Sequence, residues 1–131
     1  HFTCEKHLNW LLNKVRGLEI LNEILDGGVR KIIYAGYATD PLNCSYIDDL
    51  LNTTVLKKSI FGFNTKALRI SDNFFDILKN NKIVDTSYIS LSVDAGTNET
   101  YNKIHAVKGS AKIYDKVLFN TQKLGKLLLE V

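Results

Sequence analysis

Three short apolar runs alternate along this chain with segments of helical periodicity, and this alternation constrains the fold more than any other feature. The runs are RKIIYAG (30–36), SIFGFNT (59–65) and SYISLSVDAG (87–96). Runs of this length that are rich in β-branched or aromatic residues and bounded by glycine or polar residues are typical of strands. Strands that alternate with helices form βαβ units with parallel strands and right-handed crossovers. The sequence therefore predicts an α/β fold with a parallel β-sheet of about three strands.

The helical segments follow from apolar residues at three- and four-residue spacing. The first ends at the Gly27-Gly28 stop signal, Ser45 is the predicted N-cap of the second, and a serine or aspartate opens the third. The five predicted helices cover, in chain order, about 8–25, 45–58, 71–81, 98–105 and 111–129. One side of the last helix is predicted to carry Tyr114, Val117, Leu118, Thr121, Leu124 and Leu128.

Length and charge exclude several classes of protein. The 131 residues are 45% apolar and 24% charged, which suits one packed domain over residues 1–131. The formal net charge of +3 comes from scattered lysines, so charge alone gives nucleic-acid binding no support. No apolar run approaches the roughly 20 residues that span a bilayer, and no charged-then-apolar leader opens the chain. We therefore expect a cytoplasmic protein without a membrane segment.

Candidate metal ligands are sparse. Cys4 and Cys44 cannot form a disulfide-rich scaffold, and we expect both to be reduced, although a single bridge between them stays open. His1, Cys4 and His7 recur at three-residue spacing, which would bring soft ligands together on a helix. A chain terminus without a fourth ligand is the stronger interpretation, because structural zinc sites are closed by four ligands. The sequence predicts no metal site in this chain.

Polar residues and glycine gather where each predicted strand ends. They are Gly36 to Asp40 after the first strand, Asn64 and Thr65 after the second, and Ser92 and Asp94 after the third. Ligands of parallel α/β folds bind beyond the carboxyl ends of the strands. The sequence therefore predicts that three separate segments converge on one binding rim.

Two residues of the first segment have alternative interpretations. Gly36 would let the backbone approach a ligand closely. Asp40 stands before the only proline of the chain, Pro41, which holds the residue ahead of it extended. Asp40 therefore either faces the ligand or simply makes the turn, and composition does not decide between the two.

The third segment also leaves alternatives open. Ser92 and Asp94 lie two residues apart, so both could hydrogen-bond the hydroxyls of a ribose. Alternatively, Asp94 opens the turn before Asn98. His105 follows Tyr101 by four residues, so the two side chains are expected to stack on one helical face. His105 could then donate a proton near the rim, but a helix-end residue without chemistry is the simpler interpretation.

Three of these stretches together resemble one family, the radical S-adenosylmethionine enzymes. The stretches IIYAGYATDPL, GFNTKAL and YISLSVDAGTNETYNKIHAVKGSAKIYDKVLFNTQKL resemble the second, third and fourth βα units of that family. GYATDPL is similar to an extended variant of the Gly-Gly-Glu-Pro stretch that binds the methionine amino group of the cofactor. FNTKAL is similar to the Thr-Asn-Gly stretch that ends the third strand, and LSVDAG to the Ser-Leu-Asp-Gly stretch near the ribose. The resemblance covers about residues 8–128.

This resemblance implies a fold, a cofactor and a set of contacts. The fold would be a segment of a partial (β/α)6 TIM-type barrel. The cofactor would be S-adenosylmethionine, cleaved in the intact parent enzyme by a 4Fe–4S cluster to start radical chemistry on a substrate that the sequence does not name. The cofactor-binding residues that it implies are Gly36, Tyr37, Thr39, Asp40, Asn64, Thr65, Ser92 and Asp94.

The chain also departs from the family. The three-cysteine signature Cys-x-x-x-Cys-x-x-Cys, which holds the cluster, is absent, and so are the fifth and sixth strands. The resemblance therefore implies a middle segment, truncated at both ends and inactive alone. The alternative is a non-catalytic α/β module with an interaction or structural role. Three parallel strands leave two open edges and one uncovered face, so we also expect self-association through the sheet edges.

Overall fold

The chain forms a mixed α/β fold in which helices alternate with parallel strands. The computed structural model describes residues 13–36 and 39–130. Its elements are, in chain order, α1 (Lys14–Asp26), β1 (Lys31–Tyr34), a short 3-10 helix (Pro41–Asn43), α2 (Ile47–Leu56), β2 (Ile60–Thr65), α3 (Asp72–Asn80), β3 (Tyr88–Leu91), α4 (Asn98–Ile104) and α5 (Ile113–Glu130). Every predicted strand and helix is therefore confirmed in type, while the start of the first predicted helix lies outside the described residues.

The sheet has three parallel strands in the order β1-β2-β3. The register pairs Ile33 with Gly62 across the first interface and Phe63 with Ile89 across the second. This confirms the predicted parallel sheet. Because β2 lies in the middle, β1 and β3 each leave an outer edge unpaired within the described part of the chain. Self-association through these edges stays a prediction.

One face of the sheet carries the hydrophobic core. Phe61, Phe63 and Thr65 alternate along β2 and are all at most 3% exposed, as expected for side chains on one face of a strand. They pack under helices α2, α3 and α5. The buried residues of this core are Ile47, Leu51, Val55, Phe61, Phe63, Phe74, Phe75, Ile77, Leu78 and Leu124.

The opposite face of the sheet is largely open. Ile33 of β1 is 50% exposed, and Asn64 of β2 is exposed. The ring of Tyr88 on β3 lies over Gly62 of β2, where an added Cβ atom would stand 2.5 Å from the ring carbon Cζ. Helices thus cover one face, and the other reaches solvent within the residues described.

Most of the residues predicted to cap or end the helices are confirmed. Ser71 caps α3 by accepting a 3.0 Å hydrogen bond from the Phe74 amide, and Gly27 ends α1. The prediction for Ser45 is wrong, because α2 begins at Ile47, after Tyr46. The 3-10 helix runs almost directly into α2, so no separate N-cap is needed at position 45.

Helix α5 buries a narrower stripe than its sequence predicts. Of the residues predicted on one side of this helix, Val117 and Leu124 are buried, whereas Leu118 and Leu128 are 41% and 65% exposed. Asn120 is buried instead, since its position three residues after Val117 lies on the same stripe.

Among the helices described, none combines the length and the apolar character needed to cross a membrane.

Candidate functional site

A cavity of about 580 Å³ lies where the three strands end. Lys66 and Pro41 line it, together with six of the residues predicted to bind a cofactor, namely Gly36, Thr39, Asp40, Asn64, Thr65 and Ser92. The predicted convergence of three segments on one rim is therefore confirmed for these six. Tyr37 lies outside the described residues, and Asp94 does not line the cavity.

Hydrogen bonds from neighbouring segments of the chain fix the Asp40 carboxylate in position. Its carboxylate accepts hydrogen bonds from the Leu42 amide at 3.0 Å, the Lys66 amide at 2.7 Å and the Thr65 hydroxyl at 2.8 Å. These donors engage both carboxylate oxygens and fix the loop after β1 to the end of β2. Asp40 is also the N-cap of the 3-10 helix, so the turn-making interpretation is confirmed.

Gly36 is required by the loop that follows β1. A Cβ atom at this position would collide with the backbone carbonyl of Thr39. The glycine therefore permits a close approach of backbone to backbone, and nothing in this geometry requires a ligand. A larger residue at position 36 would disturb the loop whether or not a ligand binds there.

The loop after β2 is held in a strained conformation. Ala67 is fully buried with a φ of 55°, which costs an L-residue roughly 1–2 kcal/mol. The Thr65 hydroxyl accepts a hydrogen bond from the Ala67 amide at 2.9 Å, and the Asn120 side chain donates to the Ala67 carbonyl at 2.7 Å. This bracing fixes the backbone next to Asn64 and Lys66 at the mouth of the cavity.

Asp94 does not line the cavity, and its carboxylate contacts His105. The Asp94 Oδ1 atom is 2.9 Å from His105 Nε2, and this hydrogen bond is the main reason that the pKa of Asp94 is lowered. Thr97 caps the helix that begins at Asn98. The interpretation that Asp94 opens the turn before this helix stays a prediction. The predicted stacking of His105 on Tyr101 is confirmed by a ring-centroid distance of 4.2 Å.

The sequence analysis did not predict that Lys66 belongs to the site. This residue follows β2 directly, lines the cavity, and brings its Nζ atom to 3.4 Å from His105 Nδ1. The available signal was its position one residue beyond a predicted strand, next to Asn64 and Thr65. A lysine at a strand end is also an ordinary solvated residue, so the position alone does not distinguish the two roles.

The described residues hold no group of three or more histidine, cysteine, aspartate or glutamate side chains that could bind a metal ion. Cys44 is a half-buried free thiol at the end of the 3-10 helix. His1, Cys4 and His7 lie outside the described residues, so their spacing stays a matter of sequence alone.

Replacing Asp40 by alanine is expected to lower the free energy of unfolding by about 1–2 kcal/mol, since it removes an N-cap and the anchor between two loops. The measurement is urea unfolding of the variant beside Asp76→Ala, which removes the same charge from an exposed position on α3. The control should change by less than about 0.5 kcal/mol. Equal stability of the two variants would show that the Asp40 contacts do not hold the rim.

Comparison of this chain with protein-family models, curated proteins and solved structures finds no match. The resemblance of the three motifs to the radical S-adenosylmethionine enzymes therefore stays a prediction from the sequence.

Proposed function

We propose that this chain is the central part of a radical S-adenosylmethionine enzyme core and that its strand-end cavity binds S-adenosylmethionine. The observation that carries the proposal is the convergence at the rim. Six residues picked from three motifs, far apart in sequence, line one cavity at the carboxyl ends of parallel strands. Ligand sites of α/β folds lie at this edge of the sheet.

The cavity suits a ligand of this size and polarity. Its volume of about 580 Å³ falls in the usual range of small-molecule sites, roughly 300–1,000 Å³. Asn64 and Ser92 line it, and their side chains make no hydrogen bond within the described part of the chain. These amide and hydroxyl groups are free to bind the amino, carboxylate or ribose groups of the cofactor.

The strand order also supports a barrel segment. Three parallel strands in sequential order, with core helices on one face and an open opposite face, have the arrangement of consecutive units of a βα barrel. In such a barrel the open face would point toward the interior. The partial (β/α)6 barrel is therefore part of the same proposal.

The residues of this chain do not fit an iron–sulfur cluster. Such a cluster needs several cysteine thiolates at close range. The sequence contains only Cys4 and Cys44, and neither has partner cysteines at the family spacing. In a complete enzyme the cluster and cofactor would supply the radical chemistry, while the residues of this chain bind and orient the cofactor.

Calorimetric titration with S-adenosylmethionine tests the proposal. The unmodified chain is expected to bind, and Asn64→Ala is expected to weaken binding by about tenfold, because one hydrogen bond to a polar ligand is worth roughly 1.4 kcal/mol. The matched control is Asn80→Ala, which changes an exposed asparagine on α3 away from the cavity. Both variants should keep the melting temperature of the unmodified chain.

Two outcomes would count against the proposal. A folded chain that does not bind S-adenosylmethionine favours the non-catalytic α/β module. Binding that Asn64→Ala and Asn80→Ala leave equally strong would place the ligand elsewhere.

A further inference from the structure

A second cavity, of about 410 Å³, lies between helices α2, α3 and α5. It shares two loops with the strand-end cavity, since Leu42 and Arg69 line the second cavity while their neighbours Pro41 and Leu68 line the first. None of the described residues that were predicted to bind a cofactor lines the second cavity. Its volume falls in the usual range of small-molecule sites, so it is a separate place where a ligand could bind.

The charged side chains of this cavity come from three different segments of the chain. Arg69 and Lys116 bring two positive charges, and Asp48 brings one negative charge. No salt bridge in the described part of the chain joins Asp48 to either cation. Its Oδ2 atom instead accepts from the Ser71 hydroxyl at 2.6 Å and from the Asn73 amide at 3.3 Å, and its Oδ1 atom is buried. The cavity therefore keeps one net positive charge.

The carboxylates next to the cavity along the chain have other partners. Asp115, which precedes Lys116, accepts a 2.7 Å hydrogen bond from the Asn98 side chain. Asp72 pairs with Lys123 at 2.8 Å. Neither carboxylate lines the cavity, so neither cancels the charge of its two cations by direct contact.

Asn120 gives the cavity a buried polar group of fixed orientation. The residue is only 7% exposed, and its Nδ2 atom donates to the Ala67 carbonyl at 2.7 Å. This contact assigns the two ends of the amide, and the Oδ1 atom receives no hydrogen bond within the described part of the chain. An amide oxygen accepts hydrogen bonds. A ligand that suits this cavity therefore combines an anionic group with a hydrogen-bond donor.

We propose that this second cavity binds a small phosphate monoester that also carries a hydroxyl group, as sugar phosphates do. A phosphate monoester has a charge of about −1.5 to −2 at pH 7, which suits two cations. The Arg69 guanidinium can bind two phosphate oxygens at once, and the Lys116 ammonium acts as a point charge. The hydroxyl donates to Asn120 Oδ1. This site is independent of the proposed function, because it lies in another cavity.

Titration of the ¹⁵N-labelled chain with ribose 5-phosphate, followed by amide chemical shifts, tests the site. The amide signals of Ser45, Arg69 and Ser71 should shift, and those of Asn64 and Ser92 at the strand-end cavity should not. Inorganic phosphate should shift the same signals but bind roughly threefold to tenfold more weakly, because it lacks the hydroxyl contact. Ribose, which lacks the phosphate, should not bind.

Substitution of the cations tests their role. Arg69→Gln should weaken binding of ribose 5-phosphate by about tenfold, and Lys116→Met by roughly threefold to tenfold, because each removes a charge-assisted contact. The matched control is Lys103→Met, which removes the same charge from an exposed position on α4 that does not line the cavity. Salt at about 0.15 M screens distant charges, so the control should change the affinity by less than about twofold.

Four outcomes would overturn the assignment. Equal weakening by Lys103→Met and by both cavity variants would reduce the effect to general attraction of anions. Shifts confined to the strand-end cavity would place the phosphate there. Binding of ribose as tight as that of ribose 5-phosphate would exclude the phosphate contacts. A folded chain whose signals do not shift in a large excess of ribose 5-phosphate would show that the cavity does not bind phosphate monoesters.

Discussion

Replacing Phe63 by alanine is expected to lower the free energy of unfolding by about 3–5 kcal/mol, the usual cost of deleting a buried phenylalanine. Phe63 lies on the central strand β2 and is fully buried. Its ring stacks on Tyr34 at 4.7 Å and meets Phe74 edge-on at 5.2 Å. The substitution would leave a cavity where the sheet packs on α3, and the surrounding rings can fill it only in part.

Urea unfolding of Phe63→Ala beside Phe119→Ala measures this effect. Phe119 lies on α5 and is 64% exposed, so the same deletion there should change stability by less than about 0.5 kcal/mol. The slope of the unfolding free energy against urea should be alike for both variants, which keeps the comparison two-state. A loss below about 1 kcal/mol for Phe63→Ala would mean that the centre of β2 is not the core of the fold.

The fold could be predicted from sequence because its strands are locally distinct. SIFGFNT places phenylalanine at alternate positions, and both of these rings are buried on one face of β2. Helix α3 likewise carries its own N-cap at Ser71. The buried side of α5 was harder to predict, because the apolar Leu118 is exposed and the polar Asn120 is buried, the reverse of what their polarity indicates. The side chain of Asn120 is buried because it satisfies the Ala67 carbonyl, a partner that no helical pattern contains.

The position of the rim could be predicted from the sequence, but the contacts between its residues could not. The rule that ligands bind at the carboxyl ends of parallel strands was enough to predict that Gly36, Asn64 and Ser92 lie at one cavity. The contact between Asp40 and Thr65 joins residues from different units, and spacing along the chain carries no information about it. The same holds for Lys66 and His105, whose contact spans 39 residues of sequence.

Alkaline pH is expected to destabilise the chain through Tyr34. Burial raises the pKa of this phenol from 10.0 to about 12, partly offset by its hydrogen bond with Thr54. The unfolded chain therefore releases the phenol proton near pH 10, while the folded chain keeps it until about pH 12. The folded state binds more protons in this window, so the stabilisation is complete below pH 10 and is lost as pH rises toward 12. Two pKa units correspond to roughly 2.7 kcal/mol.

The comparison that isolates Tyr34 is Tyr34→Phe, followed by denaturant unfolding from about pH 9 to about pH 12. Near neutral pH the variant should be about 1 kcal/mol less stable, because the hydroxyl contacts Thr54 at 2.7 Å and the Leu50 carbonyl at 3.1 Å. This difference should shrink and then reverse as pH rises, since only the unmodified chain must keep a buried phenol protonated. Other groups titrate equally in both proteins and cancel. A difference that stays constant across the window would show that burial does not raise the pKa of the Tyr34 phenol in the folded chain.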